Sequence, residues 1–451
     1  MDQSWKKIIK ISLPMTFIGL VDILLIYLSL FWLGIFISDA EALTAIRVSG
    51  SVITMIEVIL LAVVGALMIF ISQSYGAKNV KDVSKGVSQA YTLTCVAGIG
   101  VTLLGLVGYK YIISIFNVDG ITSSYMKDYL FVFFIGYLPI ALNNFLLALP
   151  RFLQNLKLVY QGLSVLLVGS AILTPLCIYI FSSLSWSLIG GAALGVVSAN
   201  LICSIFMIYK LFIKDDLNLG LTVKDLKLTR DYSIIKKQKL FIFSQVANNI
   251  TFNLSNFLYI IILSYYPSDV LNVYTIAIYT YAAFGLFFQN FIGSLIPIVS
   301  QYKGSGDINA IESIIRKFFK VVGVSAGFIA LLIILLRYQI SEWISVSNDL
   351  IPLYADFLLI YSIPWVLNLL SLIFILTISG SGDAKGGLYL IITNMYILAI
   401  LPLLVLPHYF DNTIQGVFIT IALIQVLTFI NSLGYYMLGK WKKVSLVSLS
   451  I

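Results

Sequence analysis

The hexapeptides ISQSYG at residues 71–76 and VSQYKG at residues 299–304 are near repeats of each other, and each closes a long apolar run and precedes a basic stretch. The two copies are 228 residues apart, about half of the 451-residue chain. The same offset relates Lys157 to Lys385. The repeat predicts two structurally related halves, as in many membrane proteins that are built from internal repeats.

The composition excludes a soluble domain. Hydrophobic residues make up 60% of the chain and charged residues 11%, and the mean hydropathy is +1.01. Soluble domains average about 25% charged residues, so a soluble fold of this length would lack the charges that cover its surface. The chain is therefore predicted to be a multi-pass membrane protein.

Twelve apolar runs have about 20 residues or more, which is enough for a helix to cross a bilayer. They lack the short alternating pattern of a membrane barrel. We therefore predict an all-α membrane protein with twelve transmembrane helices. The runs cover roughly residues 8–35, 44–72, 86–109, 125–149, 158–182, 188–212, 239–265, 271–300, 318–337, 352–378, 386–406 and 413–438.

The net charge of +8 is explained by orientation. With the N-terminus in the cytoplasm, 24 of the 28 Lys and Arg residues lie on the cytoplasmic side, all except Arg47, Lys110, Lys127 and Arg337. This bias is the positive-inside pattern of membrane proteins. It predicts a cell-membrane protein with both termini in the cytoplasm, and the basic excess requires no nucleic-acid partner.

A polar segment rich in Lys and Asp divides the chain near its middle. We interpret residues 214–238 as a cytoplasmic linker between an N-terminal six-helix lobe, residues 1–213, and a C-terminal six-helix lobe, residues 239–451. No other polar segment is long enough to form a soluble domain, so any binding is expected within or between the helices.

Two acids within the predicted spans are the main candidates for chemistry. Asp22 and Glu57 each lie about 20 Å along their helices at 1.5 Å per residue, which is near the middle of the bilayer. A carboxylate at this depth costs at least about 2.5–3.5 kcal/mol and usually has a function. Such an acid can take up a proton, and a pair can hold a cation. The alternative is a neutral carboxyl group held by hydroxyl groups.

Neutral polar residues form a second group of candidates. Asn249 and Asn253 belong to a stripe at helical spacing on the seventh helix, which should face a partner helix or a water-filled cavity. Asn143 and Asn368 lie within the fourth and tenth helices, and Tyr279 could line a pocket for flat or cationic molecules. Hydrogen bonding between helices is an equally good explanation for the amides.

The sequence lacks the usual motifs of an enzyme. It contains one histidine, His408, and no zinc motif His-Glu-x-x-His, no phosphate-binding Walker loop and no Cys-x-x-Cys pair. We therefore expect no catalysis and no cofactor apart from a coupling ion. Pro14 in the first helix predicts a bend, because proline removes a backbone hydrogen bond.

The chain resembles the multidrug and toxic compound extrusion (MATE) family. The resemblance rests on the segment from Trp5 to Pro14, the two Ser-Gln motifs quoted above and the turn from Gly380 to Lys385, and it covers essentially the whole chain. It implies two pseudo-symmetric six-helix lobes around a V-shaped central cavity. It also implies export driven by inward flow of Na+ or H+.

Three positions depart from the pattern of that family. Members usually carry an aspartate about 15 residues after the first proline, where this chain has Ser29. Acids in the seventh and tenth helices align by eye with Asn253 and Asn368. We expect Asp22 and Glu57 to supply the coupling charge instead, and Ser29 and the amides to line the substrate cavity.

The sequence leaves three functions open. The favoured one is a cation- or proton-coupled antiporter that exports small amphipathic, cationic organic compounds by alternating access, as a monomer in the lipid bilayer. The second is a flippase for a lipid-linked saccharide or another lipid, from the wider superfamily of that fold. The third is a membrane-embedded enzyme. Acids and amides at the membrane midplane favour the first over the second through charge complementarity.

Overall fold

The computed structural model describes residues 3–36, 39–116, 118–344, 347–410 and 413–447, apart from the side chains of residues 3–9, 22, 23, 26, 27, 29, 30 and 40. Every regular element within these ranges is helical, and no strand occurs there. The predicted all-α fold is therefore confirmed.

The first half of the described chain contains eight α-helices. They are α1 (Gln3–Phe36), α2 (Ala40–Gly76), α3 (Val80–Ile115), α4 (Gly120–Ile135), α5 (Tyr137–Phe152), α6 (Leu156–Ser183), α7 (Leu188–Ile208), which ends in a π-helical turn (Tyr209–Ile213), and α8 (Ser233–Lys237).

The second half contains nine more. They are α9 (Lys239–Leu263), α10 (Ser268–Gly293), α11 (Leu295–Gly304), α12 (Ile308–Leu335), α13 (Arg337–Trp343), α14 (Ile351–Ser381), α15 (Ala384–Ile392), which continues as a π-helix (Thr393–Ile400), α16 (Leu401–Val405) and α17 (Ile414–Met437).

These helices supply the predicted membrane spans. In the described ranges, ten helical stretches are long and apolar enough to cross a bilayer. The pair α4 and α5 forms an eleventh span that is bent by 57°. The 34-residue helix α1 completes the set of twelve.

Two helices begin well before the apolar runs that predicted them. Helix α3 starts at Val80 and not at residue 86, and α12 starts at Ile308 and not at residue 318. Asn79 caps α3 by accepting from the Asp82 amide, and Asp307 caps α12 in the same way. A side chain that accepts from the first backbone N–H groups stabilises polar helical turns that hydropathy does not detect.

The chain divides into two compact units. One consists of residues 1–16 together with residues 240–451, and the other of residues 17–239. The first turns of α1 thus pack with the second half of the chain. The linker role of residues 214–238 stays a prediction, and in the structure this segment packs on α3.

Glycine allows close packing between α6 and α7. Gly191 and Gly195 are four residues apart on α7, a spacing that lets two helix backbones approach in a membrane. A Cβ atom on Gly195 would lie 2.4 Å from the Thr174 Cα atom, and one on Gly191 would lie 2.8 Å from the Cys177 carbonyl oxygen. The two backbones are therefore too close for any larger residue.

The fourth predicted span breaks at Gly136. This residue separates α4 from α5, where a Cβ atom would lie 2.3 Å from the Val197 Cγ1 atom on α7. Pro139 follows three residues later and cannot donate to the carbonyl of Ile135, which ends the helical hydrogen-bond pattern there. Close packing and a missing donor together explain the 57° bend.

Both copies of the repeated hexapeptide lie at buried helix ends. The Ser72 hydroxyl donates to the Phe152 carbonyl at 3.1 Å, joining the ends of α2 and α5. The Ser300 hydroxyl donates to the Ile296 carbonyl of its own helix at 2.8 Å. Lys303 is 4% exposed and donates to the Lys442 carbonyl. The motif thus fixes helix ends.

Candidate binding cavity

The unit formed by residues 17–239 encloses a cavity of about 920 Å³. Residues from α1, α2, α4, α5, α6 and α7 line it. Its volume lies within the range of about 300–1,000 Å³ that is typical of small-molecule sites. The cavity is therefore the candidate site of this unit.

One face of α2 runs along the cavity. Arg47, Ser51, Thr54, Glu57 and Leu61 all line it and follow one another at intervals of three or four residues. Residues at this spacing share one side of a helix. The sequence of α2 thus presents a basic, a hydroxylic, an acidic and an apolar zone in order along the wall.

Glu57 is the acidic group of the lining. It lies about 26 Å along α2 at 1.5 Å per residue, near the middle of that helix, and is half-buried. Its carboxylate has no hydrogen bond or ion pair to any residue of the described ranges. The hydroxyls of Ser51 and Thr54 donate to the carbonyls of Arg47 and Gly50 within α2. The carboxylate therefore remains available to a proton or a cation.

An amide pair forms the opposite wall. The Asn143 side chain is 1% exposed and donates to the Asn200 Oδ1 atom at 2.8 Å, while Asn200 donates to the Val196 carbonyl at 2.9 Å. The Oδ1 atom of Asn143 is buried and accepts no hydrogen bond from the described residues. A buried acceptor without a donor is costly, so the amide pair is only partly satisfied within the described residues.

Two arginines also line the cavity. Arg47 is exposed and lies ten residues before Glu57, about 15 Å along α2, while Arg151 is half-buried near the end of α5. The sequence reading assigned both arginines to the two sides of the membrane and did not place them in a site. The sequence spacing of Arg47 and Glu57, which puts both on one face of α2, was the signal that could have placed Arg47 at the site.

Two glycines widen the cavity along α2. Gly50 and Gly65 both line it, and a Cβ atom on either would meet no heavy atom within 4 Å. The space beside them belongs to the cavity. Larger residues at these positions can therefore fill it without first displacing the backbone.

The predicted amides of α9 lie in the other unit and bond within their own helix. The Asn249 side chain donates to the Gln245 carbonyl and the Asn253 side chain to the Asn249 carbonyl, both at 2.9 Å. Tyr279 on α10 is 73% exposed. Of the predicted site residues with described side chains, Glu57 and Asn143 line the cavity of the unit formed by residues 17–239.

Asn368 forms a second amide pair. Its side chain donates to the Gln425 Oε1 atom at 2.6 Å and joins α14 to α17. The partners are 57 residues apart, as Asn143 and Asn200 are in the first unit. Each unit thus contains a hydrogen bond between two side-chain amides that joins two of its helices.

The remaining predicted residues lie on α1. Pro14 lies inside this helix, which continues through it. The side chains of Asp22 and Ser29 lie outside the described residues. Leu25, which lines the cavity, is three residues after position 22 and four before position 29.

Comparison with protein families gives a match over most of the chain. A sequence model of the MatE family matches residues 14–180 and 246–405. No curated protein sequence matches the chain.

Solved structures provide similar folds. A MATE protein in its bent conformation is 17% identical over 98% of each chain, with a TM-score of 0.85. An outward-facing multidrug resistance MATE family transporter of the MOP superfamily is 18% identical over 98% of each chain, with a TM-score of 0.81. A MOP superfamily transporter from Pyrococcus furiosus is 18% identical over 98% of each chain, with a TM-score of 0.82. It is described as having a binding pocket of reverse polarity that suggests a different function.

Proposed function

The chain belongs to the MatE family of transporters, and from this premise we propose that it is a secondary active exporter coupled to Na+ or H+. Its substrates are small, amphipathic, cationic organic compounds, and export proceeds by alternating access. The observation that carries the proposal is Glu57, a carboxylate in the middle of a membrane span that faces a cavity of about 920 Å³ without a partner among the described residues.

The carboxylate supplies the coupling step. When it is ionised, Glu57 attracts a cationic compound into the cavity. An entering proton or Na+ neutralises the same group and removes that attraction, so substrate and coupling ion compete for one negative charge. Asp22 has the same role in the proposal, because the sequence places it about 20 Å along the first span, at a depth where a carboxylate is usually functional. Adjustment of α1 near Pro14 accompanies the exchange.

The rest of the lining supports an amphipathic substrate. Leu61, Phe133, Ile140 and Leu147 provide apolar surface, and Ser51, Thr54 and Glu57 provide polar groups. Small-molecule sites commonly combine mostly apolar walls with a few placed polar groups. The proposal assigns the apolar walls to the body of the substrate and the polar groups to its orientation.

A lipid flippase is the second candidate. Arg47 and Arg151 line the same cavity as Glu57, and two guanidinium groups favour an anionic headgroup such as a pyrophosphate. The sequence reading expected no such cations at the cavity, and their presence is the specific observation that keeps this candidate.

Efflux from proteoliposomes tests the proposal. We expect a fluorescent organic cation to leave the vesicles under an imposed pH or sodium gradient, and Glu57→Gln to abolish the dependence on the gradient. Glu342→Gln, the same change at an exposed position of α13, is the matched control and should transport normally.

The outcomes separate the candidates. Full gradient-driven efflux by Glu57→Gln would contradict the coupling role of this residue. No efflux by folded wild-type protein under either gradient, together with transfer of a lipid-linked saccharide between leaflets, would establish the flippase instead.

A further inference from the structure

A second cavity lies beside the polar N-terminal turns of α3. It has a volume of about 380 Å³ and forms where residues 224–230 pack on α3. Its lining includes Lys85, Lys224, Lys227 and Arg230 and contains no carboxylate. Four cationic side chains around a cavity of this size create a strongly positive site on the side of the membrane that the charge pattern predicts to be cytoplasmic.

Hydrogen bonds hold the segment in place. Asp225 accepts from the Thr222 amide at 2.8 Å and from the hydroxyl of Ser84 on α3. The Thr229 amide donates to the Thr92 hydroxyl at 3.0 Å. The cavity is thus bounded by a fixed backbone and not by a loop that lacks contacts with the helices.

The floor of the cavity is also fixed. Gln89 is fully buried, and its Oε1 atom accepts from the Ile235 amide at 3.3 Å. The hydrogen bond from the Ile235 amide links the Gln89 side chain, and with it α3, to the chain that follows the segment. The cationic side chains around it therefore converge on one space.

Two nearby acids, Asp225 on the segment and Asp231 just after it, offset part of the positive charge and leave an excess of two cations. Lys85 forms an ion pair of 2.8 Å with Asp231 and, with the amide of Ser233, lowers the pKa of that carboxyl to about 2. Asp231 is therefore ionised throughout the physiological range and offsets one cation. Lys224, Lys227 and Arg230 are exposed and form no ion pair within the described ranges.

We propose that this cavity binds a phosphate-bearing anion. Lys and Arg side chains recognise phosphate oxygens through charge-assisted hydrogen bonds, and the three cations that form no ion pair suit a group with more than one negative charge. Such an anion can come from a lipid headgroup of the cytoplasmic leaflet, which attracts basic segments near the membrane, or from solution.

Two probes test the proposal on the purified full-length protein. Titration calorimetry with inorganic pyrophosphate measures binding of a free anion. Native mass spectrometry after reconstitution in nanodiscs, with and without phosphatidic acid in phosphatidylcholine, measures retention of a lipid. The triple variant Lys224→Gln, Lys227→Gln, Arg230→Gln should weaken binding about five-fold for each cation removed, or about a hundred-fold in total.

A matched variant removes the same charge from the stretch that follows the segment, outside the cavity. It carries Lys236→Gln, Lys237→Gln and Lys239→Gln, three exposed positions that do not line the cavity, and should bind like wild type. A third variant, Lys224→Arg, Lys227→Arg and Arg230→Lys, keeps the charge and should retain binding. It separates loss of charge from loss of structure.

Each outcome decides the proposal. Binding of pyrophosphate supports a soluble anion as the source, and retention of phosphatidic acid alone supports a lipid headgroup. The proposal is overturned if wild type binds neither probe, or if the first triple variant binds as tightly as wild type.

Discussion

Substitution of Gly195 by alanine should loosen the contact between α6 and α7. The new Cβ atom would lie 2.4 Å from the Thr174 Cα atom and 2.9 Å from the Thr174 backbone nitrogen. Backbone atoms cannot move aside as a flexible side chain can. The two helices must therefore separate locally by about 1 Å to restore an ordinary contact of 3.4 Å or more.

The energetic cost follows from this displacement. Overpacking of a well-packed interior costs about 1–3 kcal/mol, and each kcal/mol lowers the unfolding temperature of a domain of 150–250 residues by about 2–4 °C. The higher helix propensity of alanine recovers at most about 1 kcal/mol.

Thermal unfolding in detergent, followed by tryptophan fluorescence, measures the effect. Gly169→Ala is the matched control, because a Cβ atom at Gly169 would make an ordinary contact of 3.5 Å with the Ala199 Cβ atom across the same helix pair. We expect Gly169→Ala to unfold at or slightly above the temperature of wild type. If Gly195→Ala unfolds at the same temperature as this control, the reasoning about the helix contact is refuted.

Two further predictions concern the large cavity. Gly65→Leu should fill space beside α2 and reduce efflux while the protein stays folded. Gly108→Leu is the control, because its Cβ atom would also meet nothing within 4 Å and Gly108 does not line the cavity, so this variant should transport normally. Equal efflux by the two variants in proteoliposomes would contradict the assignment of the cavity. Asn143→Leu should lower the unfolding free energy by about 1–3 kcal/mol, because it leaves the Asn200 acceptor unpaired. The double variant Asn143→Leu, Asn200→Leu should recover much of this loss. If denaturant titration finds the double variant less stable than the single one, that explanation is excluded.

Hydropathy predicted the helices well because lipid contact requires about 20 apolar residues for each span. It did not predict where helices extend into water, since the polar first turns of α3 and α12 are stabilised by caps at Asn79 and Asp307. The break at Gly136 also escaped prediction, because it depends on the approach of Val197 from another helix.

The candidate site was predictable only in part. Glu57 and Asn143 could be selected because polar groups are rare at membrane depth, and both line the cavity. Arg47 and Arg151 were assigned by their positions near helix ends, although the cavity extends along the helices far enough to include them. Membership in a cavity depends on which helix faces meet, and one sequence does not determine that.

The two amide pairs indicate how the halves diverged after duplication. The 228-residue offset of the hexapeptides also relates Asp128 to Asp356, and by this offset Asn368 and Gln425 correspond to positions 140 and 197, three residues before Asn143 and Asn200. Each pair keeps a separation of 57 residues. Both partners have thus changed place together by nearly one helical turn, about 4.5 Å. An amide moved without its partner would leave a buried polar group unpaired, so the register of the pair in each unit depends on polar residues of two helices at once.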